Sequence, residues 1–457
     1  MLRILATAYI FSVFLTGSAN ALTLREAVRH TILTNPTVGA SVANRRASFF
    51  QLQQARGRYL PTVDVELFAG PTMLDRPQGL SSDINNDWYG PRQAGVTARQ
   101  VLFDGFNRAN DLYRAAAVID AAALRVLESS ETQALNAIEA YIDVRRHGKL
   151  LQISADNVRR HQELLSLIRT RFDGGKAPRS SVDQSIERLD SARAVGEEIR
   201  QAFLEAQARF KAVIGLEPER TEVVGLPHGL PVSKKEAVDI GLDANPAIRA
   251  AAANVDVVSY EKKQARSTYF PTVAVEGNLI FGRDISGTLG RNHEYGARVV
   301  VTWNLFDGFI KSNRQRELTE RLGQVELERD VEARNVVEAI ERAWAAYLTG
   351  GARVAALSRQ EKTARKVRAS YLEEFELDKR SLLDLLDSEA ALFSVRFSVE
   401  SARAIRKFAA YQLLASMGML LDTVGVDAPE EAAANFRGRV LDRRGIFDVV
   451  IEPLRRR

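Results

Sequence analysis

The sequence predicts a mainly α-helical chain built from two tandem copies of one unit, each with a strand pair and a long antiparallel helical hairpin. Three observations carry that prediction. Leu102-Phe103-Asp104-Gly105-Phe106 recurs as Leu305-Phe306-Asp307-Gly308-Phe309, an offset of 203 positions (102 against 305). Upstream of each copy, apolar and polar residues alternate with period two; downstream, the apolar positions recur every three or four. The proline-free stretch from Phe106 to about Arg171 is longer than any compact domain requires.

Composition narrows the function classes. With 46% hydrophobic and 26% charged residues over 457 positions, the chain reads as folded. The net charge of +5 comes from interleaved acids and bases rather than a basic stripe with aromatics, which argues against a nucleic-acid partner. The absence of cysteine removes disulfides, thiolate metal sites and cysteine nucleophiles. His30, His147, His161, His228 and His293 show no metal-ligand spacing, and no nucleophile elbow or P-loop is present. The expectation is a protein that is not an enzyme and holds no cofactor or metal.

Residues 1–21 resemble a secretory signal: Arg3, then an apolar core from Ile4 to Leu15, then Ala19-Asn20-Ala21 as an A-x-A cleavage site. With no cysteine after that site, a lipid anchor is not expected. Beyond it no apolar run approaches the ~18–20 residues of a membrane helix, so any membrane insertion would have to use strands.

The first repeat is read as residues 22–215. Thr23-Leu24-Arg25-Glu26 is a capping box opening a helix to Thr34. Asn35-Pro36 breaks it, because proline disfavours helix at the preceding residue yet suits the first helical position. A second helix runs from Pro36 to Tyr59. Strands are expected at 62–70 and 93–103, with Val63, Val65 and Leu67 facing one side and Asp64 and Glu66 the other. The corners Asp104-Gly105 and Asp307-Gly308 turn strand into helix, since glycine accepts positive φ without a Cβ penalty. The long helix then carries a seam of Leu112, Ala116, Ile119, Ala123, Val126, Ser130, Ala134, Ala137, Tyr141, Val144, Gly148, Leu151, Ala155, Val158, Gln162 and Leu165. This is a heptad pattern with a stutter near Ser130. Phe172 to Pro178 makes a hairpin turn, and helix resumes from Arg179 to Ile214.

After a linker at 216–232, the second repeat occupies 233–418. It has a capping box at Ser233-Lys234-Lys235-Glu236, a break at Asn245-Pro246, and strands at 272–281 and 294–304. Residues upstream of its strands are offset by 210 and those downstream by 203, so the inter-strand loop absorbs the difference while the helices keep their length. Residues 419–457 fall outside the repeat and read as a tail, partly flexible or laid along the surface. Ten-residue alternating strands with Trp88, Tyr89 and Tyr295 near the loops and Trp303 near the helices suit a transmembrane barrel. Four strands cannot close one, so the membrane reading requires an oligomer.

The tandem unit, the Asn-Pro breaks, the strand pairs, the Leu-Phe-Asp-Gly corners and the long proline-free helices together resemble the TolC family of outer-membrane channel-tunnel proteins, over about residues 22–420. The resemblance implies a homotrimer whose twelve strands form one β-barrel in the outer membrane of a Gram-negative bacterium, continued by an α-barrel across the periplasm. It implies an exit duct for type I protein secretion or multidrug efflux, opened by a periplasmic adaptor (membrane fusion) protein and an inner-membrane RND, ABC or MFS transporter. The missing lipidation cysteine leans toward the secretion branch. A periplasmic coiled-coil spacer is the alternative, though it would have no need of amphipathic strands with aromatic ends; a secreted helical-repeat enzyme or toxin lacks a catalytic constellation.

The resemblance also assigns roles to the helical tips. Arg380 matches a gate arginine, with Phe375, Ser180 and Ser181 at the positions of its partners and Asp183 nearby as a substitute for the aspartate that is missing. Phe375 stands where the family has an aromatic hydroxyl, and Ser181 where an aspartate is common. Asp384 and Asp387, three apart, match an entrance carboxylate ring that attracts cations. Gly174, Gly175, Lys176 and Lys379 lie at the turns where adaptor contact is implied. From residue chemistry alone, Asp384 and Asp387 near a helix start are equally favoured by the macrodipole, and the glycines simply make a good turn.

Overall fold

A computed structural model describes residues 21–75, 83–218, 221–434 and 436. The signal-like segment up to residue 20 and the end of the chain from 437 lie outside the described residues.

Helices α1 (Leu24–Thr34) and α2 (Pro36–Gly57) meet at Asn35, whose side chain accepts the Thr37 N–H at 2.9 Å. The capping box forms in full: Glu26 N–H donates to Thr23 Oγ1 at 3.1 Å, and the Glu26 carboxylate accepts the Thr23 N–H at 2.9 Å. The second repeat builds α5 (Lys234–Ala244) and α6 (Pro246–Ala265) around Asn245 in the same way. Its capping box is only half formed, because the Glu236 carboxylate takes the Val232 N–H rather than that of Ser233.

Four strands make one antiparallel sheet: β1 (Thr62–Ala69), β4 (Arg92–Phe103), β5 (Thr272–Arg283) and β6 (Arg291–Thr302), in the order β1-β4-β5-β6. Strands β2 (Thr72–Leu74) and β3 (Asp87–Tyr89) form a small hairpin within the first inter-strand loop, which the sequence pattern did not reveal. Strand β5 runs two residues past its expected end, and β6 starts three residues early and stops at 302. Tyr295 therefore lies inside a strand, and Trp303 just beyond one. Cross-strand pairing extends both strands, with Arg283 opposite Arg291, where no apolar alternation marks them.

Helix α3 (Asn107–Asp173) has 67 residues, as has α7 (Ile310–Glu376); each is about 100 Å long. They return as α4 (Arg179–Ile214) and α8 (Leu382–Met417), each of 36 residues. No described helix is long and apolar enough to cross a membrane. The expected seam on α3 is buried from Leu112 to Val144. Beyond Gly148 it drifts: Ala155 and Gln162 face solvent, while Ile153, Ser154, His161, Leu164 and Ile168 are buried. A straight helix advances 3.6 residues per turn, so a 3.5-residue seam rotates out of register with its neighbours.

The central core gathers Ile32, Ile138, Tyr141, Phe210, Ile214, Ile340, Leu413 and Met417, where the stacked helices of both copies meet. The reading of 419–457 as a tail needs correction over its described part. Helix α9 (Leu420–Val424) buries Leu420 and Leu421, and Val426 follows them into the core. Glu131 of α3 accepts the N–H groups of Leu420 and Leu421 at 3.1 and 3.3 Å, and Asp120 accepts that of Phe436 at 3.1 Å. Free helix-start N–H groups seek an acceptor, and a carboxylate on α3 supplies it. The segment is too short for periodicity to have announced this.

Candidate functional site: a membrane sheet, two corners and a pair of tips

Register sorts the sheet into two faces. Val65, Val96, Leu279 and Tyr295 stand in one row across all four strands, and Leu67, Ala94, Phe281 and His293 in the next. The opposite face carries Glu66, Thr97, Asn278 and Arg298, and there Glu276 pairs with Arg99 at 3.2 Å and Arg298 at 3.0 Å. Val63, Val65, Leu67, Val299 and Val301 are exposed, so an apolar band continues across the sheet. Lipid is the solvent such a face fits, with the charged face turned to an aqueous lumen.

At each strand-to-helix corner the aspartate does the capping. Asp104 Oδ2 accepts the Arg108 N–H at 3.1 Å and its Nε–H at 2.9 Å, and Asp307 Oδ2 accepts the Lys311 N–H at 3.1 Å. Gly105 and Gly308 have φ of +64° and +69°. The following Phe106 and Phe309 are also left-handed, at +69° and +68°, and each packs edge-to-face on the phenylalanine three residues back. The two corners are alike in backbone and unlike in surroundings. A Cβ on Gly105 would lie 2.6 Å from Ser267 O and 2.8 Å from Phe270 Cβ, whereas one on Gly308 would meet nothing within 4 Å.

The tips lie at the far ends of α3 and α7. Both turns close the same way: Lys176 N–H donates to Arg171 O at 2.7 Å, and Lys379 N–H to Glu374 O at 2.8 Å. Gly175 occupies the left-handed position in the first turn (φ +72°) and Asp378 in the second (φ +58°). Gly174, Gly175, Lys176 and Lys379 are all exposed.

The anticipated gate partners are not brought together within the chain. Arg380 Nε donates to Glu374 Oε2 at 2.8 Å, its guanidinium lies 4.2 Å from the Tyr371 ring centroid, and its Nη1 stands 4.0 Å from Asp384. All of these belong to its own hairpin, so Arg380 does not bridge to the first copy here. Asp183 pairs with Arg179, and Ser181 accepts no bond from Arg380. The reason is distance along the hairpin: Glu374 and Tyr371 sit one turn back on α7 and reach the guanidinium first. Ser381 caps α8, its hydroxyl accepting the Asp384 N–H at 3.1 Å and donating to the Asp384 carboxylate at 2.8 Å, and Asp387 stands 4.0 Å from Arg188 of α4. Phe375 is buried with Leu165, Ile168, Val182, Leu385 and Leu386 in an apolar cluster joining the two hairpins.

Sequence reasoning missed Arg171. Its Nη1 donates to Asp378 Oδ1 at 2.7 Å, its Nη2 to the carbonyls of Phe375 and Glu376 at 3.1 and 3.0 Å, and its guanidinium stacks 4.5 Å from the Phe375 ring centroid. An arginine at the end of a long helix looks like an ordinary C-terminal cation; nothing in its spacing marks a partner 207 positions away.

A one-sided sheet that opens through left-handed corners into paired helices about 100 Å long defines a protomer of the outer-membrane channel class. The family model for outer membrane efflux proteins matches residues 27–216 and 238–419, and the chain belongs to that family. It is 26% identical over 424 residues to the outer membrane efflux protein BepC of Brucella suis, covering 91% of each chain. Its fold is similar to that of the outer membrane protein VceC of Vibrio cholerae (TM-score 0.72, 15% identity, 89% of this chain and 97% of that one). It is likewise similar to the open-state MtrE outer membrane channel of Neisseria gonorrhoeae (TM-score 0.68, 17% identity, 87% and 89%). The protein is therefore an outer-membrane channel of the efflux family.

Proposed function

We propose that three copies of the chain close into a duct spanning the outer membrane and periplasm, through which an inner-membrane transporter and its periplasmic adaptor export cargo. The observation that carries this reading is a mismatch between the two repeats. In the first, Leu124 and Ala121 of α3 bury against Ala250 and Ala253 of α6. The matching Leu327 on α7 is exposed, and so are Ala40 and Ala43 of α2, which correspond to Ala250 and Ala253. One flank of the chain thus offers the half of a packing interface that the other flank lacks. Strands β1 and β6 are likewise edges with no neighbouring strand among the described residues. Such a heterologous contact generates a ring when the rotation closes; three copies would give the twelve strands that the family resemblance implies.

The cargo class follows from the pump. BepC is named an efflux protein, which supports small-molecule efflux; the missing lipidation cysteine supports type I secretion. Gly174, Gly175, Lys176 and Lys379 are then the adaptor-facing turns, and Asp384 and Asp387 the cation-attracting ring at the entrance, beside Arg380. Planar-bilayer conductance of the detergent-extracted protein tests this. Wild type should form small, cation-preferring pores, and the Asp384→Ala/Asp387→Ala pair should lose the preference. Folded protein that makes no pores would overturn the duct.

A further inference from the structure

We infer that Arg92, Arg283 and Arg291 form a binding site for the phosphate groups of a phosphorylated glycolipid in the outer leaflet of the outer membrane. The inference rests on the barrel half of the duct reading above and is independent of cargo and gate. Cross-strand pairing sets Arg92 opposite Arg283 and Arg283 opposite Arg291, so three adjacent strands carry an arginine in one row. Side chains two residues apart share a face. Stepping back by twos from the arginines gives Ala94, Phe281 and His293, then Val96, Leu279 and Tyr295, which is the lipid-facing side. The helices leave from the opposite end of the sheet, so the arginines mark its outward rim.

Height agrees with this placement. Arg291 lies ten residues before Val301 along β6, about 33 Å of strand. A tilt of about 40° projects that onto about 25 Å, the height of a transmembrane barrel's apolar band. One row below the arginines, Phe281 packs edge-to-face on His293, with ring centroids 5.4 Å apart, and on Tyr295, at 5.8 Å. Aromatic girdles mark the membrane interface, and the arginines stand just beyond this one, at the level of headgroups.

The charge balance of the row points to a ligand outside the chain. On the lumen face Glu276 stands between Arg99 and Arg298, at 3.2 and 3.0 Å, so one carboxylate serves two guanidiniums. The rim row holds three arginines and, on β1, Ala69. Like charges directly opposite on neighbouring strands repel. Arg92 and Arg291 have no ion pair among the described residues, and Arg283 meets only Asp284, at 3.7 Å and with its own side chain 70% exposed. The loop carboxylates Asp284 and Asp83 already accept the Gly290 and Leu289 N–H groups, at 2.8 and 2.9 Å. Neighbouring strands lie about 4.8 Å apart, so the three arginines span about 10 Å, room for a headgroup with two phosphates. Guanidinium forks engage phosphate oxygens bidentately and are weakly hydrated, which suits a membrane interface.

The test uses the full chain in nanodiscs of neutral phosphatidylcholine and measures binding of fluorescent lipid A, a doubly phosphorylated glycolipid. Its dephosphorylated form and phosphatidylglycerol serve as comparison lipids, and inorganic phosphate as a competitor. Wild type should bind lipid A at least tenfold more tightly than either comparison lipid. Arg92→Gln/Arg283→Gln/Arg291→Gln should lose about 100-fold, since each arginine near an anionic lipid surface changes affinity about fivefold. Arg99→Gln/Arg298→Gln, which removes guanidiniums from the lumen face, should bind as wild type does. Should the triple variant fail to fold by circular dichroism, Arg291→Gln alone should still lose about fivefold. Tight binding by the arginine variants, equal loss in the lumen pair, or equal affinity for phosphatidylglycerol would overturn the site. Displacement of lipid A by millimolar inorganic phosphate would assign the row to a free anion and overturn it too. Conductance is a separate readout: absent pores break the duct reading, whereas lipid binding reports on the arginine row alone.

Discussion

The two corners share five residues and the same backbone, yet one is filled and the other open. Gly105 is pressed against Ser267 and Phe270 of the second copy, while Gly308 faces empty space. The same contrast holds along the helices, where Leu124 is 1% exposed and its counterpart Leu327 is 67% exposed. Local sequence sets a local shape, but a repeat's environment depends on which neighbour stands beside it. The first copy's corner and α3 face have the second copy against them; the matching corner and α7 face of the second copy have no neighbour among the described residues.

The contrast can be broken most forcefully on the helices. Leu124→Glu should cost about 4 kcal/mol or more by burying an unpaired carboxylate, and lose cooperative unfolding by circular dichroism. Leu327→Glu should leave the isolated chain's helicity intact and instead block assembly, read as a shift from oligomer to monomer in light scattering. If both unfold the chain equally, the exposed α7 face is not a waiting interface.

At the corners the expected effects are smaller. Gly308→Ala should cost only the strain of a left-handed residue, about 1–2 kcal/mol in the unassembled chain. Gly105→Ala adds a backbone clash and should cost more. The gap between their thermal midpoints should narrow on assembly, when a second copy's residues near Gly57 and Leu60 come to stand where Ser267 and Phe270 stand in the first corner.

A third difference is electrostatic. Glu131 is pushed up to about 7, chiefly by burial, against the pull of the Leu420 and Leu421 N–H groups and with Asp422 adding repulsion; its counterpart is the exposed Arg334. Glu128 and Glu332 line the same groove, and burial together with Glu332 raises Glu128 as well. Between the ordinary 4.5 and about 7 the folded chain holds a proton that the unfolded chain has lost, so stability falls as pH rises through that window. The full displacement amounts to about 3 kcal/mol against the charged form. Glu131→Gln removes the titrating group but keeps one acceptor oxygen where the carboxylate offers a separate oxygen to each N–H, and should flatten this dependence in thermal midpoints measured from about pH 4 to pH 8. An unchanged pH profile would show that Glu131 stays ionised when buried.

The smallest expected effect concerns the two Asn-Pro breaks. Asn245 caps α6 and also donates to Ser416 O at 2.8 Å, whereas Asn35 only caps α2. Asn245→Ala should therefore cost about 1 kcal/mol more in thermal unfolding than Asn35→Ala.

The sequence by itself determined the repeat, the helix limits at Thr34 and Ile214, the end of the long helix to within two residues (about Arg171 against Asp173), the Asn-Pro breaks and the polarity of the sheet faces. Each depends on interactions spanning a few residues: caps, proline's missing N–H, period-two alternation. The tertiary structure decided what those elements meet. It rotated the α3 seam beyond Gly148, folded Leu420 to Val426 into the core, confined Arg380 to its own hairpin and brought Arg171 to Asp378. These outcomes depend on which side chain reaches an acceptor first in three dimensions, and residues 207 positions apart leave no spacing in the chain from which that can be read.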